Sequence, residues 1–317
     1  GFQGRLMALA LGTNSGFVTA APSADPAETG TTIDGSSVVT KHTSPANAVK
    51  ITSIGWYRAS GTNAANWEIA LYSESAGVAA TRLFVDATNS STSNGWLTTA
   101  VDWTIAPSTA YWLGLQMDGH AGSSSVDGAA SLGAGSDVMT GQTTLADPYG
   151  GGAAADADGM YAIYALVSPI SAAITGTATA SITEADIVTG GKTIIITLTN
   201  DTWKAAGTGP IGSTADTQAI IDNIDSNQSE ASGWDAVVRP GIEATDVVRT
   251  SDTVATITLD AEATYNITAN ETITVTVPAA AVSSGVSVVA TPTFTVSFIN
   301  PQSNAPRAMA NYRHRRQ

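Results

Sequence analysis

The chain has 317 residues, a formal net charge of −14, 13% charged residues and no cysteine. That length suits two domains better than one. The acidic balance argues against nucleic acid or an anionic membrane as a partner, and the lack of cysteine excludes disulfides, thiolate metal sites and cysteine nucleophiles. The basic residues are unevenly placed. Arg307, Arg313, Arg315 and Arg316 fall in the last eleven residues, four of the 13 Lys and Arg in the whole chain. No apolar run approaches the roughly 20 residues needed to span a bilayer, so membrane insertion is not expected.

Residues 1–47 open with the apolar LMALAL of Leu6–Leu11. A Gly-, Pro- and Ser-rich stretch follows from Gly12 to Gly35, then a short strand at Val38–Val39. This segment reads either as part of the first domain or as an N-terminal arm that packs on a neighbour. From residue 48 apolar and polar residues alternate at period two, the pattern of a half-buried strand. The expected strands are Val49–Ala59, Trp67–Ser73, a short Leu83–Ala87, Trp96–Ile105, Tyr111–Met117 and Met160–Val167. Trp67, Ile69 and Leu71 share one face, as do Val101, Trp103 and Ile105, so Trp67 and Trp103 read as core. Asp118–Gly159, rich in Gly, Ser and Ala, reads as a surface excursion with one short strand near Ser136–Thr140. Seven or eight strands in 1–168 describe a jelly-roll-like antiparallel sandwich.

Ser168–Pro169 marks the boundary to a second domain, 169–300. Ala173–Ile182 is its first expected strand. Gly190–Thr199 (GGKTIIITLT) is its clearest: two glycines make a turn that feeds a buried strand. Thr214–Asn227 is the one helix candidate, with Thr214 as cap and Ala219, Ile220 and Ile224 as apolar face. Strands resume at Asp246–Arg249, Thr253–Leu259, Glu271–Val277 and Thr293–Ile299. This describes an immunoglobulin-like sandwich without the Cys-Trp-Cys signature. The fold class is therefore all-β, two consecutive antiparallel β-sandwiches, followed by a basic tail over 301–317.

Several segments resemble sequences of tailed-phage genomes. In the first domain they are MALALGTNSGFV (Met7–Val18), ITSIGWYR and WEIALYS within Ile51–Leu83, and YGGGAAADADGMYAIYALV (Tyr149–Val167). In the second they are ITEADIVTGGKTIIITLTNDTW (Ile182–Trp203), AIIDNIDSNQSEASGW (Ala219–Trp234) and DVVRTSDTVAT (Asp246–Thr256). The second set is similar to an Ig-like module of phage structural and bacterial surface proteins. The resemblance implies a virion structural protein on the particle surface, of the capsid-decoration or fibre type and commonly oligomeric. It carries over no functional residue. The alternative is a glycan-binding adhesin that uses the first domain on a host surface glycan.

No catalytic constellation stands out. His42, His120 and His314 are far apart, and no HExxH, GxSxG, Walker A or GxGxxG run is present. Acids such as Glu68 and Asp86 could in principle pair for glycoside chemistry, but an acidic sandwich offers many accidental pairs, and a non-enzymatic role is expected. Calcium is the one cofactor with a candidate loop: Asp156 and Asp158 stand at i and i+2 before Gly159, with Asp118, Asp127 or Asp147 to complete the shell. Five of the seven tryptophans lie in the first domain. Of its aromatics Trp56, Tyr57, Trp96 and Trp112 are the candidates for glycan or subunit contact. In the tail, Arg307, Tyr312, Arg313, Arg315 and Arg316 are candidates to tie one subunit to a copy of itself or to another acidic virion protein.

Overall fold

Period-two alternation is realised as strand along most of the chain. The computed structural model describes residues 8–27, 29–61, 65–118, 125–129, 135–150, 159–176, 182–205 and 208–298, and it is all-β with a few short helices. The chain divides into two compact units, Gly1–Pro169 and Ile170–Gln317. Among the described residues no helix is long and apolar enough to cross a membrane.

Among its described residues unit 1 has twelve strands: β1 (Gly16–Val18), β2 (Thr29–Thr32), β3 (Ser36–Thr43), β4 (Ala48–Ser60), β5 (Ala65–Ser75), β6 (Val78–Ser91), β7 (Gly95–Thr104), β8 (Ala110–Asp118), β9 (Ser125–Ala129), β10 (Ser136–Thr140), β11 (Met160–Tyr161) and β12 (Ile163–Pro169). One sheet runs β1-β12-β4-β9-β11, with β7 also on β4 and β2 on β9. The other runs β10-β3-β8-β5-β6. Between them lies a core that includes Ile51, Ile54, Trp56, Trp67, Ile69, Leu71, Trp103, Leu113, Leu115 and Ile163. The inward set on β8 is Tyr111, Leu113, Leu115 and Met117, the alternation the pleat requires. Between these strands pairing is antiparallel except at β1, which lies parallel to β12.

Three expectations for unit 1 change. Of the two readings of the opening segment, part of the first domain holds and an arm packing on a neighbour does not for β1, β2 and β3, which are built into the two sheets; residues 1–7 lie outside the described residues. The short strand expected at Leu83–Ala87 is the middle of the fourteen-residue β6. The excursion after β8 holds β9 as well as β10, and its segment 141–150 lies as a strap over the outer face of the five-stranded sheet. There Leu145 and Tyr149 pack on Val39, Ala70, Tyr72 and Trp112. Tyr72 Oη donates to Ala146 O at 2.8 Å, the Leu145 amide donates to Glu68 Oε2 at 2.8 Å, and the Tyr149 amide donates to Ala80 O at 3.0 Å.

Among its described residues unit 2 has nine strands: β13 (Ser171–Thr175), β14 (Ile182–Thr183), β15 (Thr193–Thr199), β16 (Ile224–Ser226), β17 (Val247–Arg249), β18 (Val254–Thr258), β19 (Glu271–Val277), β20 (Val288–Thr291) and β21 (Phe294–Ser297). β13-β15-β18-β17 form one half and β16-β19-β21 the other, with β14 parallel to β21. These are the four- and three-strand halves of an immunoglobulin-like sandwich. β20 bridges them, parallel to β13 and antiparallel to β19. The core between the halves is mainly aliphatic, with Ile174, Ile194, Ile196, Ile257, Ile273, Val275 and Val296 buried around Trp234. The Gly190–Gly191 turn enters β15 with φ of 71° and 79°. A Cβ on Gly190 would lie 2.5 Å from the Ala261 amide nitrogen, so only glycine fits there.

The helix expected over Thr214–Asn227 is α2 (Thr214–Ile221), preceded in the chain by α1 (Glu184–Thr189), which the alternation did not signal. The cap of α2 is Ser213, not Thr214. Its hydroxyl accepts from the Asp216 amide at 3.2 Å while the Asp216 carboxylate accepts from the Ser213 amide at 2.9 Å, a capping box. Ile224 then leaves the helix and pairs with Val275 as part of β16. Its burial between the two halves outweighs the helical spacing from Ile220.

Candidate functional site

Of the four aromatic candidates, two are corrected by burial. Trp56 has no exposed surface and meets Trp67 edge-on at 6.1 Å in the core of unit 1. Trp112 is 1% exposed under the strap. Neither can present a face to a sugar or a neighbouring subunit. Tyr57 and Trp96 are half-buried and pack edge-on at 5.3 Å, covering Leu9, Met160 and Ala162. Trp96 also meets Tyr164 at 5.4 Å, and its Nε1 donates to Ala24 O at 2.8 Å. These two keep some exposed surface.

The acids fall apart similarly. Asp86 is the cross-strand partner of Ile69 and shares its inward face, where it accepts from Thr99 Oγ1 at 3.0 Å and Asn89 Nδ2 at 2.9 Å. Glu68 is on the opposite face, engaged with the strap. The two carboxylates therefore do not share a site. Asp156 and Asp158 of the calcium loop, and Arg307, Tyr312, Arg313, Arg315 and Arg316 of the tail, lie outside the described residues. Asp147 is described: its Oδ1 accepts from the Arg82 amide at 3.0 Å. Among the described residues no three His, Asp or Glu side chains gather as a metal-binding group.

The feature that alternation did not reveal is at His42. It is the cross-strand partner of Tyr111 and so faces the core near the end of the five-stranded sheet. Gly16 of β1 lies against its ring: a Cβ there would stand 2.6 Å from Nδ1, and Gly16 has φ of 75°. Phe17 meets Tyr111 edge-on at 6.2 Å. Between β1 and β3 opens a cavity of about 460 Å³ lined by Leu11, Gly12, Gly16, Phe17, Lys41, His42 and Thr43. His42 is 6% exposed, and its Nε2 is buried without a hydrogen-bond partner. Burial lowers its pKa to about 3, which keeps the imidazole neutral. The signal in the sequence is faint. His42 is a polar residue in the inward register of Val38 and Thr40, and nothing in the chain says that β1 covers it.

Unit 2 holds a different buried group. Glu271, without exposed surface, accepts from the Trp234 amide at 3.1 Å through each oxygen, and from Tyr265 Oη at 2.6 Å. Burial and the adjoining carboxylate hold the Tyr265 phenol far above its ordinary pKa, so it stays a donor. Trp234 Nε1 donates to Ile224 O at 3.1 Å. This network ties the π-helical turn Trp234–Val238 to β16 and β19 and leaves no side open to a substrate. No family model, curated protein or solved structure matches the chain.

Proposed function

We propose that this chain is a non-enzymatic structural protein of a tailed-phage particle, exposed on the particle surface, of the capsid-decoration or fibre type. The observation that carries the reading is the architecture. Two consecutive β-sandwiches use large aromatics such as Trp56, Trp112 and Trp234, and acids such as Glu68, Asp86, Asp147, Asp216 and Glu271, to hold strands, turns and the strap together. Such a chain acts through the surface it presents and buries against neighbours. The charge distribution supports self-association. The four arginines after residue 306 set a basic end against a chain whose other 306 residues carry the whole acidic excess. Partners would be further copies of the chain and other virion proteins, in a closed symmetric arrangement.

Purified particles test this. The protein should be recovered from them at fixed stoichiometry, and removal of Arg307–Gln317 should weaken its incorporation. A protein absent from particles would end the reading. The second reading, a glycan-binding adhesin, rests on the partly exposed Tyr57 and Trp96 alone. Retention on a polysaccharide column that Trp96→Ala abolishes without unfolding would favour it. Hydrolysis of any glycan by the purified protein would instead require an enzyme.

A further inference from the structure

The seam over His42 combines features that together amount to a device. The covering element is only three residues long. β1 pairs with one neighbour, parallel to Tyr164–Leu166 of β12, and forms the edge of its sheet. It lies against His42 through a glycine, with no room for a side chain between them. The cavity beside it is walled by β1 and its preceding loop on one side and by β3 on the other, so solvent already reaches the seam.

The groups around the ring do not welcome a charge. From β8 comes Tyr111, whose hydroxyl is occupied as acceptor for the Ala106 amide at 2.8 Å. From β1 come Gly16, Phe17 and Val18, none titratable. From the preceding loop come Leu11 and Gly12. On β3 itself, Lys41 points to the opposite face, towards Glu74 at 3.4 Å and the Trp112 ring, and would repel a second cation rather than pair with it. Burial, not a neighbouring carboxylate, sets the titration of His42. A charged imidazole in this setting must find water. The element to move is the edge strand in front of it, with its buried Phe17 and Val18, since β1 is held to its sheet by three paired residues on one side whereas β3 and β8 have partners on both.

We propose that β1 is an acid-released strand: protonation of His42 detaches Gly16–Val18 and the loop before it from the end of the unit 1 sandwich, while the two sheets stay folded. In the closed state the ring resists the proton. In the open state it titrates near its ordinary value. The open population therefore rises roughly 30-fold between pH 8 and pH 5 for an ordinary pKa of about 6.5.

Amide hydrogen exchange of the full-length protein tests this, with rates corrected for their intrinsic pH dependence. Protection over residues 9–18 should fall roughly 30-fold from pH 8 to pH 5 and should depend only weakly on sub-denaturing urea, whereas protection over β8, lost only when the whole unit opens, should fall steeply with urea. His42→Phe and His42→Gln should each remove the pH dependence at residues 9–18. Three results would overturn the proposal. Unchanged protection at 9–18 at pH 5 would mean that the ring is hydrated in place. A urea dependence at 9–18 as steep as that at β8 would mean that the unit unfolds as a whole. The same fall in the variants as in the wild type would mean that another group titrates. The wild-type urea slopes of β1 and β8 decide the matter even if neither variant folds.

Discussion

Units 1 and 2 are both β-sandwiches, yet they treat buried polar atoms in opposite ways. The core of unit 1 is rich in aromatics. Among its described residues Thr40 Oγ1, His42 Nε2, the Nε1 atoms of Trp56, Trp67 and Trp112, and Gln116 Oε1 are buried without a partner. Unit 2 packs aliphatic side chains around a few polar groups that are nearly all satisfied: Glu271 with Trp234 and Tyr265, Trp234 with Ile224 O, and Thr217 with Ile211 O at 3.1 Å. Only Trp203 Nε1 is left over among its described residues. An unpartnered buried polar atom costs about 1–3 kcal/mol, whereas a satisfied one contributes about 1. The same architecture thus carries polar groups as a liability in one unit and as a lock in the other.

Acid should separate the two most. The folded pKa of His42, about 3, lies below its ordinary 6.5. The unfolded chain therefore takes the proton first, and stability present above pH 6.5 is lost as the pH falls towards 3, by up to about 5 kcal/mol. Unit 2 should respond only lower. The capping carboxylates Asp186 and Asp216 are held below the ordinary carboxylate range, mainly by the Thr183 and Ser213 amides respectively, so their contribution is present above about pH 4 and lost below it. Denaturant unfolding followed by tryptophan fluorescence, with five of the seven tryptophans in unit 1, should show the loss at pH 5 in the wild type and not in His42→Phe. An equal loss in the variant would break the contrast.

The next effect lies in unit 2. Tyr265→Phe removes the one hydroxyl donor to a buried carboxylate and should cost about 1.5–3 kcal/mol, read by the shift in the unfolding midpoint. Smaller, but sharper as a test, is a matched pair of isosteric changes. Thr40→Val replaces an unpartnered buried hydroxyl and should be neutral or stabilise by about 1 kcal/mol. Thr217→Val removes a bonded one and should destabilise by about 1 kcal/mol. Two shifts of the same sign would mean that the polar atoms do not distinguish the units. The least effect is expected from Ser213→Ala, about 1 kcal/mol or less from loss of the cap of α2, measured as a small drop in melting temperature.

Where alternation was strong, the strands were legible. Thr193–Thr199 buries Ile194, Ile196 and Leu198 as the pattern requires, and Glu271–Val277 is a strand over the expected span. Strands made of Gly, Ser and Thr were not legible. Thr29–Thr32 and Ser125–Ala129 pair with each other residue by residue, yet neither carries a periodic apolar signal. Ile220, Ile221 and Ile224 fit one helix by spacing, and only the partner Val275 shows that the last belongs to a strand. The candidate site was less legible still, because a period-two pattern assigns two faces without saying what covers them. Trp112 and Tyr57 both alternate away from the inward set. One is sealed by the strap thirty residues on; the other stays half open beside Trp96.

The order of residues alone determined that this chain is all-β, that it has an acidic body with four of its nine arginines in the last eleven residues, and that cysteine chemistry plays no part in it. Those properties depend on composition and on local period, which need no partner strand to be read. The tertiary structure decided which polar groups are trapped and which are paired. It placed Gly16 against His42 across 26 positions of sequence and Trp234 against Glu271 across 37. Such meetings follow from which sheet edge closes on which, a long-range outcome that local alternation does not encode.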